Sequence, residues 1–442
     1  MPPEQDLLSE VRESKSFLFC ALSNRKAIVI LLSEYFYFYK SRKIMAGKDG
    51  AEKGFGFFGR YIKIPAEGYS MASKIELRQI NRNNIYRCIY ESGGISRQEI
   101  ALKTGLSIPT IIQNLSDLEG RNLITADGVF QSTGGRRAKV IRCVLDAAYG
   151  IGIDITQNHV TIVVVDLSGD IVCGGVREKF PYQDTEHYYD TLAFKLEQLL
   201  ERNGIDRKKV LGVGISMPCI VDTARNYVTY GRLLGAPADI YKRFASRLPY
   251  RVEIFNDANS GGFAETWKSE QENMVFYLML SNSVGGAIID RDEIYLGDNF
   301  RSSEIGHLKI VPDGAPCYCG QKGCVNAYCS AQLLSDRTDG NLEQFFAKVD
   351  EGDPECVQAL DTYLDYLAVT VINLRMMLDC GIILGGYVGA YMDRCVEKLR
   401  ERITKLNPYE TDSGFVQPCH YKTEASAVGA GLPFIKKFMT EI

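Results

Sequence analysis

The chain changes its hydrophobic pattern near residue 149, and this change limits the folds that it can adopt. Before that point, short helical patterns are separated by glycine turns and followed by a pair of short strands. After it, runs of β-branched residues such as Val160–Asp166 alternate with long amphipathic patterns such as Thr185–Asn203. Strands that alternate with helices are typical of α/β folds. The sequence therefore predicts a small helical module joined to an α/β body.

Three parts follow from this pattern: residues 1–70, a helical module at 71–145 and an α/β body at 146–442. The first part combines an aromatic run with a Gly- and Lys-rich stretch, and Met71 stands directly after it. Three interpretations are open: an upstream translation artefact, a poorly ordered extension, or an accessory arm. Because chain ends are often poorly ordered, we expect one of the first two.

Charge and cysteine usage limit the partners and the compartment. Residues 71–142 carry 11 Lys/Arg and 6 Asp/Glu, so this segment is +5 and the rest of the chain is −9, against a total of −4. A basic module on an acidic body predicts an anionic partner for the module alone. There is no evident secretory signal and no clean apolar run of about 18 residues. We expect a cytoplasmic protein without a membrane span, in which most of the 13 cysteines are reduced.

The helical module has the pattern of a winged helix-turn-helix. Ser96 and Glu99 form a capping box that opens one short helix. A turn at Thr104-Gly105-Leu106 precedes a second helix, Ile108–Glu119, which Ser107 can cap. Polar residues at Ala126-Asp127-Gly128, with strands on either side, predict a wing hairpin.

The second helix is expected to enter the major groove of double-stranded DNA. The residues expected to contact DNA are Ser107, Thr110, Gln113 and Asn114 on this helix, with Arg97, Arg136 and Arg137 around it. Gln and Asn can pair with adenine through two hydrogen bonds, while these arginines, with Arg82 and Lys103, would meet phosphates or the minor groove. The residues left for the core are Ile111, Ile112, Leu115 and Leu118. The alternative is a small helical bundle with solvated basic faces, but turn, wing and local charge together favour DNA binding.

A compact group of metal-binding side chains lies in the body. His307, Cys317, Cys319 and Cys324 fall within eighteen residues and match a Cys3His zinc site. Neighbouring glycines permit the tight turns that such a site needs. Since all four positions are filled by protein, the zinc would be structural rather than catalytic. The alternative is an irregular loop that holds three reduced cysteines.

Taken together, these motifs resemble the ROK family (repressors, open reading frames and sugar kinases). The motifs that carry the resemblance are, in chain order, Gly134-Gly135-Arg136-Arg137, Gly150-Ile151-Gly152-Ile153-Asp154, Asn256-Asp257-Ala258-Asn259, Glu304-Ile305-Gly306-His307 and the Cys-x-Cys-Gly-x-x-Gly-Cys run at 317–324. The resemblance implies an actin-like, ribonuclease-H-like body of two α/β lobes around a sugar cleft, assembled as a homodimer or homotetramer. The winged module in front resembles the repressor branch of the family.

The resemblance also shows where this chain departs from the kinases of the family. Their first phosphate turn, Asp-x-Gly-Gly-Thr, here reads Asp154-Ile155-Thr156-Gln157-Asn158. Their second, Gly-Thr-Gly-x-Gly-Gly, here reads Ser281-Asn282-Ser283-Val284-Gly285-Gly286. Phosphoryl transfer depends on backbone N–H groups that wrap the phosphates, so we expect no kinase activity. Asp257, which matches the general base of the kinases, would be vestigial as a catalyst.

On the sugar side, the resemblance implies that Asn256, Asp257, Glu304 and His307 bind a sugar or sugar derivative. His307 would bind zinc through one ring nitrogen and the effector through the other. Departures from the family at Arg301 and Asn326 argue against a glucose-type ligand. For Asn256 and Asp257, the alternative is a helix cap at the end of a strand.

These inferences together predict a transcriptional repressor of carbohydrate metabolism, in which a ligand in the cleft shifts the spacing of paired winged modules. Two rival functions stay open. One is an active sugar kinase with an appended DNA-binding module. The other is a repressor without a sugar effector, whose body serves for oligomerisation or for docking a protein partner.

Overall fold

The computed structural model describes residues 74–126, 139–267, 273–291 and 293–442, and residues 75–442 form one compact unit. The extension expected at residues 1–70 lies outside the described residues, as do the tip of the wing and its Arg136 and Arg137. Within the described ranges, no helix has the length and apolar character needed to cross a bilayer.

The predicted helix-turn-helix is formed by three helices. They are α1 (Lys74–Ser92), α2 (Arg97–Thr104) and α3 (Ile108–Gly120). The capping box is present, since the Ser96 hydroxyl accepts from the Glu99 N–H and the Glu99 carboxylate accepts from the Ser96 N–H. Gly105 ends α2 in the left-handed conformation, with φ of 69°, where a side chain would be strained.

The base of the wing follows the third helix. Strand β1 (Ile124–Thr125) pairs antiparallel with β2 (Arg142–Cys143). Ile95, in the turn after α1, forms a further bridge with Ile141. The wing is therefore attached to the helices on both of its sides.

The α/β body begins with a five-stranded sheet in the order β5-β4-β3-β6-β9. Its strands are β3 (Tyr149–Ile155), β4 (His159–Val165), β5 (Ile171–Lys179), β6 (Val210–Met217) and β9 (Val252–Asn256), and a small hairpin is formed by β7 (Ile220–Asp222) and β8 (Tyr227–Tyr230). Strands β3, β6 and β9 are parallel to one another, β4 is antiparallel to β3, and β5 is antiparallel to β4. Helices α4 (Glu186–Arg202) and α5 (Ile240–Ala245) supply apolar residues to its core.

The part of the chain after β9 contains another five-stranded sheet, in the order β12-β11-β10-β13-β14. Its strands are β10 (Val275–Leu280), β11 (Val284–Asp290), β12 (Glu293–Ile294), β13 (Gly381–Gly385) and β14 (Val416–Pro418). The helices after β9 are α6 (Asp257–Thr266), α7 (Asn326–Cys329), α8 (Gln332–Ser335), α9 (Leu342–Asp350), α10 (Pro354–Leu378), α11 (Gly386–Gly389), α12 (Val396–Leu406) and α13 (Ala425–Glu441). A separate apolar core lies between this sheet and α10.

The last helix, α13, lies directly on the backbone of β3 and β6. A Cβ atom at Gly152 would lie 1.7 Å from the carbonyl oxygen of Ala427, and one at Gly214 would lie 1.9 Å from that of Ala430. The two glycines are partners in neighbouring strands. Glycine in a strand allows another backbone to approach this closely. The glycines of the Gly150-Ile151-Gly152 motif are therefore required for helix packing.

The far end of α13 contacts the helix-turn-helix. The Arg82 side chain of α1 donates to the Ile442 carbonyl oxygen at 2.8 Å and forms an ion pair with Asp117 of α3 at 2.7 Å. Asn83 donates to the Thr440 carbonyl oxygen. Arg82, which was expected to meet DNA phosphate, is thus engaged within the protein, because the carbonyl groups at the end of α13 need donors.

Candidate functional site

The outward face of α3 differs from the predicted one at two positions. Asn114 is buried, and its side-chain amide donates to the carbonyl oxygen of Thr110 at 2.8 Å, so the contact with a base expected from Asn114 is corrected here. Ile112, which was expected in the core, is 45 % exposed. The core contacts of α3 come from Ile111, Leu115 and Leu118. Their helical spacing turns Asn114 inward and Ile112 outward.

The other described residues of the expected DNA interface remain accessible. Gln113 is exposed on α3, and Arg97 is exposed at the start of α2. Ser107 caps α3, and its hydroxyl lies 2.8 Å from that of Thr110. These hydroxyl groups stand at the N-terminus of the helix, where its dipole favours an anion such as a DNA phosphate.

The four candidate metal ligands lie close together, as their spacing predicted. The ligand atoms of His307, Cys317, Cys319 and Cys324 all lie within 4.8 Å of one another. The Cys319 and Cys324 sulfurs are 3.9 Å apart, and the Cys317 sulfur is 3.9 Å from His307 Nδ1. A tetrahedron with metal–sulfur bonds of about 2.3 Å has edges of roughly 3.8 Å. The four residues can therefore hold one tetrahedral metal ion.

Local backbone geometry brings these ligands together. Gly323 has a φ of 77°, and a Cβ atom there would lie 1.7 Å from the carbonyl oxygen of Val311. This close approach allows Cys324 to pair with Lys309, two residues after His307. The Cys317 N–H donates to the Gln321 carbonyl oxygen at 2.8 Å, which closes the loop around Cys319.

The second ring nitrogen of His307 has a protein neighbour. Its Nε2 lies 3.3 Å from the hydroxyl of Tyr318, and the two rings meet edge to face. Tyr318 lines the cleft described below. The ring nitrogen of His307 that does not face the cysteines was expected to meet the effector directly, but the Tyr318 phenol lies against it. Tyr318 was missed because a residue between two metal ligands carries no motif of its own.

A cleft of about 430 Å³ lies between the two sheets. Both altered phosphate turns line it, through Thr156, Gln157 and Asn158 on one side and through Asn282 and Ser283 on the other. Its volume falls within the range of pockets that bind small molecules. The side chains of the two turns therefore occupy the borders of the cleft.

Two carboxyl groups that line the cleft, Asp154 and Asp257, have raised pKa values, and so does Glu304, which does not line the cleft but is influenced by the charge of Asp257. Burial raises the pKa of Asp154 to about 7, and the negative charge of Asp257 adds to the effect. Burial likewise raises the pKa of Asp257 to about 6 and that of Glu304 to about 7. Ser216 donates to Asp154 at 2.9 Å. Near neutral pH such groups can both donate and accept hydrogen bonds, as recognition of sugar hydroxyls requires.

Asn256 has the structural role that was considered as the alternative to sugar binding. Its carbonyl oxygen accepts from the Asn259 N–H at 2.9 Å and so caps α6. Its amide nitrogen donates to the Cys219 carbonyl oxygen and to Asp257. Asn256 therefore fixes the start of α6 and the orientation of Asp257, which itself lines the cleft.

Two further cleft residues make contacts that sequence reasoning did not predict. The Arg177 guanidinium, on β5 of the first sheet, lies 4.1 Å from the ring centroid of Tyr387 on α11, which follows β13 of the second sheet. Asn326, two residues after Cys324, is buried and accepts a hydrogen bond from the Val284 N–H at 2.8 Å. It thereby connects the metal loop to the second altered turn. Only the tertiary arrangement reveals either contact.

The start of α13 also belongs to the cleft. Ala425 and Ser426 line it, and the Ser426 hydroxyl donates to the Asp257 carbonyl oxygen at 3.0 Å. The same helix reaches the Arg82 side chain at its other end. One helix thus joins the cleft to the helix-turn-helix.

The fold and these sites define a two-lobed, sugar-kinase-like α/β protein with a winged DNA-binding module. The ROK family model matches residues 150–436, and a model described as winged helix-turn-helix DNA-binding matches residues 78–125. The chain belongs to the ROK family. The predicted family and fold class are therefore confirmed.

Three similar proteins illustrate the range of this family. The xylose repressor of Bacillus spizizenii is 26 % identical over 84 % of this chain and 98 % of its own length. The crystal structure of a ROK family transcriptional regulator, a homologue of the Escherichia coli MLC protein, superposes with a TM-score of 0.66 at 20 % identity, covering 83 % of this chain and 97 % of that one. A ROK family glucokinase from Streptomyces griseus, in complex with glucose and AMPPNP, has a TM-score of 0.56 at 23 % identity, covering 64 % of this chain and 98 % of the kinase.

Proposed function

We propose that this protein is a sequence-specific transcriptional repressor of carbohydrate metabolism whose kinase-like body binds a sugar or sugar derivative. The observation that carries the proposal is the path of α13, which lines the cleft at Ser426 and contacts the DNA-binding module at Arg82. A ligand that prefers one arrangement of the cleft can change the arrangement of the DNA-binding module through this helix. The similarity of this chain to the xylose repressor of Bacillus spizizenii, which extends over nearly the whole length of that repressor, supports this function.

The cleft is proposed to bind its ligand without phosphorylating it. Gln157, Asn158, Asn282 and Ser283 stand in the turns that would have to wrap phosphate groups. Tyr387 directly follows the Gly385-Gly386 pair, which resembles the nucleotide-base site of the kinases. The Arg177 guanidinium lies over the ring of Tyr387. An ATP-coupled assay with D-glucose and D-xylose tests this point, and turnover would favour the rival kinase function.

The effector site is proposed to include Asp257 and Glu304, with Asn256 as the residue that orients Asp257. His307 would take part through the phenol of Tyr318, which lies against its Nε2. A structural zinc ion would be held by His307, Cys317, Cys319 and Cys324, where it cross-links the loop. Zinc-bound His307 would in turn hold Tyr318 at the cleft.

The proposal extends to the assembly of the protein. We propose a DNA-binding domain at residues 71–145, a body at 146–442, and a cytoplasmic homodimer or homotetramer. Two symmetric copies would place two copies of α3 on an operator with repeated half-sites. Sedimentation equilibrium at micromolar concentration tests the oligomeric state.

Selection of binding sites from random double-stranded DNA tests the proposed function directly. We expect the protein to recover a symmetric sequence. Gln113→Ala should reduce discrimination at one base pair by about 1–3 kcal/mol, because a base contact is lost. Arg97→Ala should weaken binding to all sequences alike and reduce the salt dependence, because a phosphate contact is lost.

Gln358→Ala provides the matched control, since this exposed glutamine lies on α10, outside the DNA-binding module. It should bind the selected DNA as the unmodified protein does. Recovery of no preferred sequence would contradict the proposed function. Titration with sugars then asks whether DNA affinity responds to D-xylose, D-glucose or other small sugars, and a response to none of them would favour a repressor without a sugar effector.

Coupling between the cleft and the DNA-binding module should depend on Arg82. Typical coupling energies are about 1–3 kcal/mol, or roughly 5- to 150-fold in affinity. Arg82→Ala removes the contacts with Ile442 and Asp117, so we expect DNA affinity to lose most of its response to the effector while effector binding itself is retained. Fluorescence anisotropy with and without the effector measures both affinities.

Arg87→Ala is the control for this variant, because Arg87 lies on the same helix and its ion pair with Glu91 is exposed. It should keep the full response. An Arg82→Ala variant that responds as strongly as the Arg87→Ala variant would exclude this contact as part of the coupling.

A further inference from the structure

Two branched apolar side chains of α3 are exposed, Ile108 at 42 % and Ile112 at 45 %, and Ile112 is the one beside a glutamine. Ile112 is 45 % exposed, and Gln113 next to it is also exposed. The core of the module is completed by Ile111, Leu115 and Leu118, none of which is more than 5 % exposed. Ile112 is therefore not needed for this core, and it lies on the surface that a helix-turn-helix directs towards DNA.

The burial of Asn114 reduces the number of side chains on this surface that can hydrogen-bond to a base. With the Asn114 amide bound to the Thr110 carbonyl oxygen, Gln113 is the one carboxamide that α3 directs outward among its described residues. Pro109 and Ser116, also exposed, lie one turn to either side of Ile112 and Gln113 on the helix. Ile112 and Gln113 thus lie between Pro109 and Ser116 along the accessible face.

An apolar group in this position has a specific counterpart in the major groove. Each base pair presents hydrogen-bonding groups there, but the C5 methyl of thymine is an apolar group that only A·T pairs display. Contact of an apolar side chain with that methyl removes both from water. Glutamine can pair with N6 and N7 of adenine on the same or the adjoining base pair.

We propose that Ile112 reads the C5 methyl of a thymine in each operator half-site, next to an adenine read by Gln113. This inference rests on the proposed function, because it requires that α3 enter the major groove of an operator. The helix cap at Ser107 would fix the depth of entry by a phosphate contact. Ile112 would then discriminate thymine from any pyrimidine that lacks the methyl group.

Replacing thymine by deoxyuridine tests the proposal, since this change removes the methyl group and keeps the base pairing. Operator DNA obtained by selection with the full-length protein is synthesised with deoxyuridine at one thymine position at a time. At the thymine that Ile112 contacts, we expect affinity to fall about fourfold when the methyl group is removed from one half-site. Removal from both half-sites should lower it roughly fifteenfold, because each half-site loses the burial of one methyl group. Ile112→Ser should bind thymine and deoxyuridine operators equally.

Leu102→Ser is the matched control, because Leu102 is an apolar residue of α2 that is 86 % exposed. This variant should keep the full difference between thymine and deoxyuridine. The proposal is overturned if the unmodified protein binds both operators equally, or if Ile112→Ser keeps the difference. A change in oligomeric state without a change in the thymine preference would assign Ile112 to contacts between copies instead.

Failure of the proposed function gives a different result. If selection recovers no preferred sequence, the repressor function itself is contradicted, and the role of Ile112 falls with it. If a sequence is recovered and Gln113→Ala alters its recognition, the function stands and the deoxyuridine series decides on Ile112 alone.

Discussion

Gly152→Ala is expected to lower the free energy of unfolding by roughly 3 kcal/mol or more. The new Cβ atom would lie 1.7 Å from the Ala427 carbonyl oxygen and 2.7 Å from its carbonyl carbon. Both are backbone atoms of α13, so no side-chain rotation can relieve the contact. The helix must move away from β3, and the apolar contacts beneath it are lost.

This variant should also disturb function, because α13 joins the cleft to the helix-turn-helix. Urea unfolding followed by circular dichroism measures the loss of stability, and DNA affinity should fall in parallel. Gly120→Ala is the control, since a Cβ atom at Gly120 meets nothing within 4 Å, and it should change stability by less than about 1 kcal/mol. Equal stability of the Gly152→Ala and Gly120→Ala variants would contradict the close packing of α13 on β3.

Local sequence patterns predicted the elements of this fold well. The capping box at Ser96 and Glu99, the cap at Ser107 and the glycine turn at Gly105 are all present, because each depends on residues within one helical turn. Alternation of strands and helices after residue 149 predicted an α/β body, whereas its two lobes were expected only from the resemblance to the family. The candidate metal ligands converge because the glycines between them allow the tight turns of a short loop.

Contacts that depend on one helical rotation or on distant residues were not predictable. The pattern placed Ile112 in the core and Asn114 on the surface, since nothing in the sequence marks which side of α3 meets α1 and the wing. Arg82 looked like a phosphate ligand because its partner at Ile442 lies 360 residues away. Tyr318 and Asn326 likewise acquire their roles through contacts across loops.

The resemblance to the family proposes Asp257 and Glu304 as effector-binding residues, but it could not predict their protonation. The raised pKa values depend on burial and on the closeness of the carboxyl groups, which only the fold sets. With such pKa values the carboxyl groups are partly protonated near neutral pH, so they can donate as well as accept hydrogen bonds.

Cys324→Ser is expected to release the proposed zinc ion and to destabilise the loop that extends from Pro316 to Cys329. A structural zinc ion contributes about 10–16 kcal/mol of apparent binding free energy in small peptides, and part of that energy stabilises the fold. Cys324 is 1 % exposed and precedes Asn326 by two residues. We therefore expect the hydrogen bond from Val284 to Asn326 to weaken, so that the second turn and the cleft are loosened together.

Metal analysis by mass spectrometry should find about one zinc ion per chain in the unmodified protein and less than half an equivalent in the Cys324→Ser variant. Its melting temperature should fall by several degrees, as it should when the unmodified protein is treated with a chelator. Cys329→Ala is the control, because Cys329 is equally buried but outside the four-residue cluster, and it should keep its zinc. Full zinc content in Cys324→Ser, or equal loss in Cys329→Ala, would contradict the assignment of the ligands. Loss of zinc without any loosening of the cleft would instead show that the metal loop does not influence effector binding, because the Asn326 contact would then not transmit the change to the cleft.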